Sequence, residues 1–216
     1  MILSKSKRLS LWLLPPQPIA TELSTIQNDI IASHSSTLEL PTFLPHVTLI
    51  GGVPISECAT VNEVPCNNTN DDIDEDAAKV VLQRLQDAFR SFGGVSIECV
   101  PERGVFAARA LSDDGIVQWN QSCVSITKRT EDFMKAMHVA EKALFPNESL
   151  SIERHFKPPL FEPHYSYVYG NDPDLIPPTL NCPPPFKSTE MVVMWTYPSN
   201  LEGVKEWKEI GRVSMV

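Results

Sequence analysis

From Arg8 to Leu14 the chain is mostly apolar, with Leu9, Leu11 and Leu13 on one face of an extended segment and Trp12 on the other, until Pro15-Pro16 stops it. This pattern predicts a first strand. Pro18 suits the opening turn of a helix, and Ile19, Leu23, Ile26, Ile30 and Ile31 recur at helical spacing to about Ser33. A second strand carries His46 and Thr48 and ends at Gly51-Gly52. The polar stretch 54–73, with Asn67-Asn68-Thr69-Asn70-Asp71-Asp72, reads as a solvated loop. Asp74, Glu75 and Asp76 then favour a helix start, and Val80, Val81, Leu85, Ala88, Phe89 and Phe92 carry a helical period to Gly93-Gly94. Strands are predicted at 95–100, 103–111 and 117–126. A helix follows from about Thr130, turning Phe133, Met134, Met137, Ala140, Ala143 and Leu144 inward. A strand at 163–169, a proline-rich loop at 171–188, and strands at 189–197 and 204–215 complete the chain.

Two of these strands carry the same pattern. Phe43-Leu44-Pro45-His46-Val47-Thr48 returns as Phe161-Glu162-Pro163-His164-Tyr165-Ser166, 118 positions later, in a chain with five histidines. A lone histidine followed two residues on by a hydroxyl carries little information. Recurrence with the same aromatic and proline flanks carries much more. Side chains two apart on a strand share a face, so each copy offers an imidazole beside a hydroxyl. Adjacent strands would then form a four-cornered polar site. Two imidazoles can divide the roles of general base and general acid, while two hydroxyls donate to a phosphate. Such a set can open a phosphodiester without a metal, and no acidic cluster at ligand spacing accompanies the histidines; neither metal nor cofactor is expected.

The paired motifs resemble those of the two-histidine (2H) phosphoesterases, and within them the fungal and plant cyclic nucleotide phosphodiesterases. Ser10-Leu11-Trp12-Leu13-Leu14-Pro15-Pro16 is similar to the first strand of that branch. Tyr167-Val168-Tyr169 matches an apolar run ending in Tyr, and Val204-Lys205-Glu206-Trp207-Lys208-Glu209-Ile210-Gly211 resembles the last strand of fungal members. The resemblance implies an α+β, bilobal fold: two β-sheet lobes related by a pseudo-two-fold, helices outside, a central cleft between. The order of predicted elements suits two such β-α-β lobes, interleaved within one domain over 1–216.

The resemblance also implies hydrolysis of nucleoside 2′,3′-cyclic phosphates to the 2′-phosphate, and of ADP-ribose 1″,2″-cyclic phosphate, a by-product of tRNA splicing. His46 and His164 are the expected catalytic pair and Thr48 and Ser166 the phosphate-binding hydroxyls. By resemblance His164 is the base for water and His46 the acid. Trp12 and Tyr169 are candidates for stacking on the substrate, although strand parity puts Tyr169 off the His164/Ser166 face unless the strand bulges. Trp119, Gln121 and Cys123 fall together on one strand, either beside the site or on the opposite face. His34, His138 and His155 lack the motif, and Arg103, Lys128 and Arg129 read as solvated charges.

The formal net charge of −9 argues against long nucleic acid, whose binding draws on many cationic contacts, and favours a small cyclic nucleotide as ligand. Two other readings stay open: an RNA 2′–5′ phosphodiesterase or ligase-like relative, which needs a basic groove, and a nucleotide-binding protein without catalysis. Cysteines 58, 66, 99, 123 and 182 show no zinc spacing and fit reduced thiols. The apolar run after Lys5-Ser6-Lys7-Arg8 is too short for a signal peptide, and no transmembrane stretch exists. Asn67-Asn68-Thr69 is a glycan acceptor only in a secreted chain. The expectation is a cytoplasmic monomer, with Golgi association implied by fungal relatives.

Overall fold

The computed structural model describes residues 7–34, 39–58, 70–111, 117–146, 163–170, 180–198 and 200–216, with the backbone alone at 70–73, 107–111 and 117–123. Nine strands and four helices are described: β1 (Arg8–Leu13), α1 (Gln17–His34), β2 (Val47–Pro54), α2 (Ile55–Cys58), α3 (Asn70–Phe89), β3 (Val95–Ile97), β4 (Val105–Leu111), β5 (Val117–Ile126), α4 (Glu131–Leu144), β6 (His164–Gly170), β7 (Phe186–Ser188), β8 (Glu190–Trp195) and β9 (Lys208–Ser214). Short 3₁₀ turns precede β4 and β9. The fold is α+β with antiparallel strands throughout.

The order in the main sheet is β4-β5-β6-β2-β1-β8-β9, so the two motif strands lie side by side at its middle. β5 and β1 pair along most of their length with β6 and β2 respectively. Between β2 and β6 the register is one pair, Val47 with Tyr165. The halves β4-β5-β6 and β2-β1-β8-β9 thus meet at the motif strands, along a narrow seam. β3 and β7 form a separate two-stranded sheet.

Alternation gives the main sheet two unlike faces. Leu9, Leu11 and Leu13, Val47, Tyr165, and Met191, Val193 and Trp195 share one large core with the helices. α1 contributes Leu23 and Ile30, α3 contributes Val81, Leu85 and Phe89, and α4 contributes Phe133, Ala136, Met137 and Ala140. The helical spacing of those residues is what lets each helix bury a single stripe. Thr130 caps α4, its hydroxyl accepting from Phe133 N at 3.3 Å, and Glu131 and Asp132 complement the helix dipole. The other face carries a small cluster of Trp12, Val192 and Met194.

Some sequence expectations shift. α3 begins at Asn70, inside the stretch read as loop, and Ile55–Cys58 forms a helical turn there. Within 171–188, residues 171–179 lie outside the described residues, but Phe186–Ser188 is strand, pairing Val95 with Ser188 and Ile97 with Phe186. Three prolines just before β7 disguised it, because proline density reads as irregular structure. The Asn67 sequon and His155 lie outside the described residues. No helix among the described residues is long and apolar enough to cross a membrane.

Candidate active site

The pairing of Val47 with Tyr165 sends both of those side chains into the core. One step to either side in an antiparallel ladder, His46 comes opposite Ser166 and Thr48 opposite His164, all four on the face away from the helices. The register at Val47 and Tyr165 thus brings the two motifs side by side, and extended by one step it aligns each imidazole with a hydroxyl of the other copy. Trp12 pairs with Thr48 across β1, and Ile126 and Val124 pair with His164 and Ser166 across β5, so the square has apolar neighbours on both sides.

The square is not uniform in depth. His46 and Ser166 are 1% and 2% exposed, whereas Thr48 and His164 are half-buried. One opposed pair forms the floor of the site and the other its mouth.

His46 is held on three sides. Its ring stacks on the indole of Trp12 with centroids 3.7 Å apart and planes 8° from parallel, and Phe43 meets it edge-on at 5.7 Å. The Leu44 carbonyl meets Nδ1 at 2.6 Å. A carbonyl only accepts, so Nδ1 carries the hydrogen and the neutral ring keeps its lone pair on Nε2. Nε2 is buried and has no hydrogen-bond partner among the described residues. Burial drives the pKa of His46 down to about 3; the Leu44 bond opposes this, and the charge of His164 adds to it, which places the two imidazoles within electrostatic reach of each other. A buried, unpartnered lone pair is costly, and a ligand that donates or carries a proton there relieves the cost.

An aromatic wall continues from His46. Tyr169 stacks on Phe43 at 4.2 Å, and Trp207 leans on both Trp12 at 5.7 Å and Tyr169 at 5.9 Å, its indole N–H donating to Pro198 O at 3.0 Å. Simple alternation would turn Tyr169 away from His164 and Ser166. Instead β6 bulges. Val124 of β5 faces Ser166 and Cys123 faces Val168, so two residues of β6 oppose one of β5. Tyr167 and Val168 both enter the core, and Tyr169 emerges on the side of His46. β2 does the same at the equivalent place: Trp12 faces Thr48, Leu11 faces Ile50, and Leu49 and Ile50 are both buried in the core.

Trp12 thus takes the side of the sheet that alternation assigned to it, but it is 2% exposed and one face of its ring is occupied by His46. Phe43 and Trp207 were not identified from sequence. Phe43 had a signal, since an aromatic three residues before the histidine occurs in both motifs; Trp207 had none locally, because only the β9-β8-β1 order brings it near. The side chains of Trp119, Gln121 and Cys123 lie outside the described residues. Lys128 pairs with Glu98 at 2.9 Å on the surface, and His138 is exposed on α4. Among the described residues, no group of three or more His, Cys, Asp or Glu side chains gathers as metal ligands do.

A family model described as cyclic phosphodiesterase-like protein matches residues 8–176. No curated protein matches the chain. Among solved structures, TT0787 of Thermus thermophilus is similar with a TM-score of 0.50 at 12% identity, over 96% of this chain and 97% of that one. E. coli LigT in apo form gives a TM-score of 0.43 at 13% identity over 98% of each chain. LigT complexed with 3′-AMP gives 0.43 at 14% over 99% of each. At 12% identity the likeness to TT0787 speaks for the fold alone.

Proposed function

The chain belongs to the cyclic phosphodiesterase-like protein family, and from that premise we propose that it hydrolyses nucleoside 2′,3′-cyclic phosphates to 2′-phosphates without a metal. ADP-ribose 1″,2″-cyclic phosphate is a second substrate of the same class. A closer kinship with the fungal and plant branch of the 2H phosphoesterases belongs to this proposal. The observation that carries it is the register at Val47 and Tyr165, which supports a single phosphorus centre served by both motifs.

The chemistry is a displacement at phosphorus. Water loses a proton as its oxygen bonds to phosphorus, the bond to the ribose 3′ oxygen breaks, and that oxygen gains a proton. Thr48 and Ser166 donate to the two free phosphate oxygens as charge builds on them. The tautomer of His46 leaves Nε2 unprotonated, which suits it as the proton acceptor; burial lowers its affinity for that proton, and the negative charge of the bound phosphate offsets this. His164, half-buried at the mouth, then protonates the leaving oxygen. This direction reverses the one implied by family resemblance.

The test is incubation with a panel of 2′,3′-cyclic nucleotides in EDTA, with the phosphate position in the product read by phosphorus NMR. The expected result is metal-independent formation of the 2′-phosphate. His46→Ala and His164→Ala should each lower kcat by about 10²- to 10⁴-fold. Full activity in both variants would sink the reading. A substrate with sulfur at the bridging 3′ position separates the two roles, because a thiolate leaves without a proton. It should rescue His164→Ala and leave His46→Ala impaired; the opposite pattern restores the direction implied by family resemblance.

A further inference from the structure

Gln27 lies in the middle of α1, 4% exposed, between Leu23 and Ile30 on the stripe that packs against the sheet. An amide among apolar side chains needs a partner, and its Nε2 donates to the backbone carbonyl of Tyr167 at 2.9 Å. Tyr167 is one of the two β6 residues that oppose a single position of β5. A bulge withdraws a residue from the ladder and disturbs its hydrogen bonds, so a buried bulge depends on donors from outside the sheet. α1 supplies such a donor at the place where β6 changes parity.

We propose that Gln27 is a positioning residue for the active site: by holding the Tyr167 carbonyl, it fixes the bulge that turns Tyr169 onto Phe43 and so builds the wall beside His46. The chain of contacts is continuous. Gln27 bonds Tyr167 O, Tyr167 and Val168 take the core side, Tyr169 stacks on Phe43 at 4.2 Å, and Phe43 meets His46 at 5.7 Å. Gln27 itself is on the opposite side of the sheet from the histidines and touches no reacting group. The functional half of this inference rests on the reading of the site as one for cyclic nucleotides, in which the nucleoside lies against the wall that Tyr169, itself 4% exposed, backs. Without the donor, β6 regains a regular ladder by rotating Tyr169 off the wall, and binding suffers while proton transfer at His46 and His164 does not.

The experiment uses the full chain with Gln27→Met, which keeps length and volume and removes the donor. Two readouts are taken. Ring-to-ring nuclear Overhauser contacts between Phe43 and Tyr169, present in the unsubstituted protein, should disappear, while those within α1 and between β1 and β8 remain. The KM for a 2′,3′-cyclic nucleotide should rise by about tenfold with kcat within about twofold, the signature of lost binding. Adding Gln27→Met to Tyr169→Ala should change KM no further, because the first substitution acts through the second residue. A surviving ring contact, an unchanged KM, or additive effects in the double variant overturn the proposal. Should Gln27→Met not fold, Gln27→Asn serves instead, since its amide stops one methylene short of the carbonyl. If the unsubstituted protein turns over no cyclic nucleotide, the substrate reading fails, and the ring contact alone judges the geometric claim.

Discussion

At His46 the protein keeps an imidazole uncharged by withholding water from it, and this has a consequence for stability. An exposed histidine in the unfolded chain titrates at about 6.5. Between that value and about 3 the unfolded state therefore binds a proton at this residue that the folded state does not. Stability from this source is fully present above pH 6.5 and falls as pH drops through the window. Between pH 7 and pH 5 the unsubstituted protein should lose about 2 kcal/mol more than His46→Gln, read from denaturant midpoints at each pH. Equal losses would show that His46 is solvated in solution. The hydroxyls make a different prediction. Thr48→Ala and Ser166→Ala should each slow turnover by about 10- to 100-fold with stability little changed for Thr48, which sits at the half-open end of the site, and the comparison needs only steady-state kinetics and a melt. The placement of the four polar residues on neighbouring strands was legible in sequence because strand alternation and the repeat are local properties. The tautomer and burial of His46 were not, since they depend on Trp12 from another strand and on the carbonyl two residues back.

At the scale of elements, strands and helices followed from periodicity wherever one face was clearly apolar. β1 and α4 lie where their patterns put them. Bulges were the main thing missed. Tyr167-Val168 consists of residues that suit a regular strand, with no glycine or proline to mark an interruption, so nothing local shows that both enter the core. The parity of Tyr169 was therefore undecidable from the chain alone. The turn after α3 tests how tightly the small sheet is joined to the rest. Gly93 and Gly94 both have left-handed backbones, at φ 86° and 87°. A Cβ on Gly93 would meet nothing within 4 Å, whereas one on Gly94 would stand 2.8 Å from the Ser188 carbonyl oxygen. Gly93→Ala should cost about 1 kcal/mol of backbone strain, and Gly94→Ala clearly more, because β7 has to shift as well. Thermal melts of the two variants give the comparison, and equal losses would mean that β7 yields freely.

For the molecule as a whole, the notable feature is that each histidine belongs to a different half of the sheet. His46 travels with β2-β1-β8-β9 and His164 with β4-β5-β6, and the halves meet at Val47 and Tyr165. The formal net charge of −9 makes a local site for an anion stand out, for an envelope of that sign repels phosphates elsewhere. The site also has an orientation. Trp12 and Phe43 close it behind His46, while Thr48 and His164 stand at the half-open end. On the proposed reading, product and substrate meet at that same half-open end, so added 2′-phosphate should inhibit competitively against the cyclic ester, which product-inhibition kinetics reads directly.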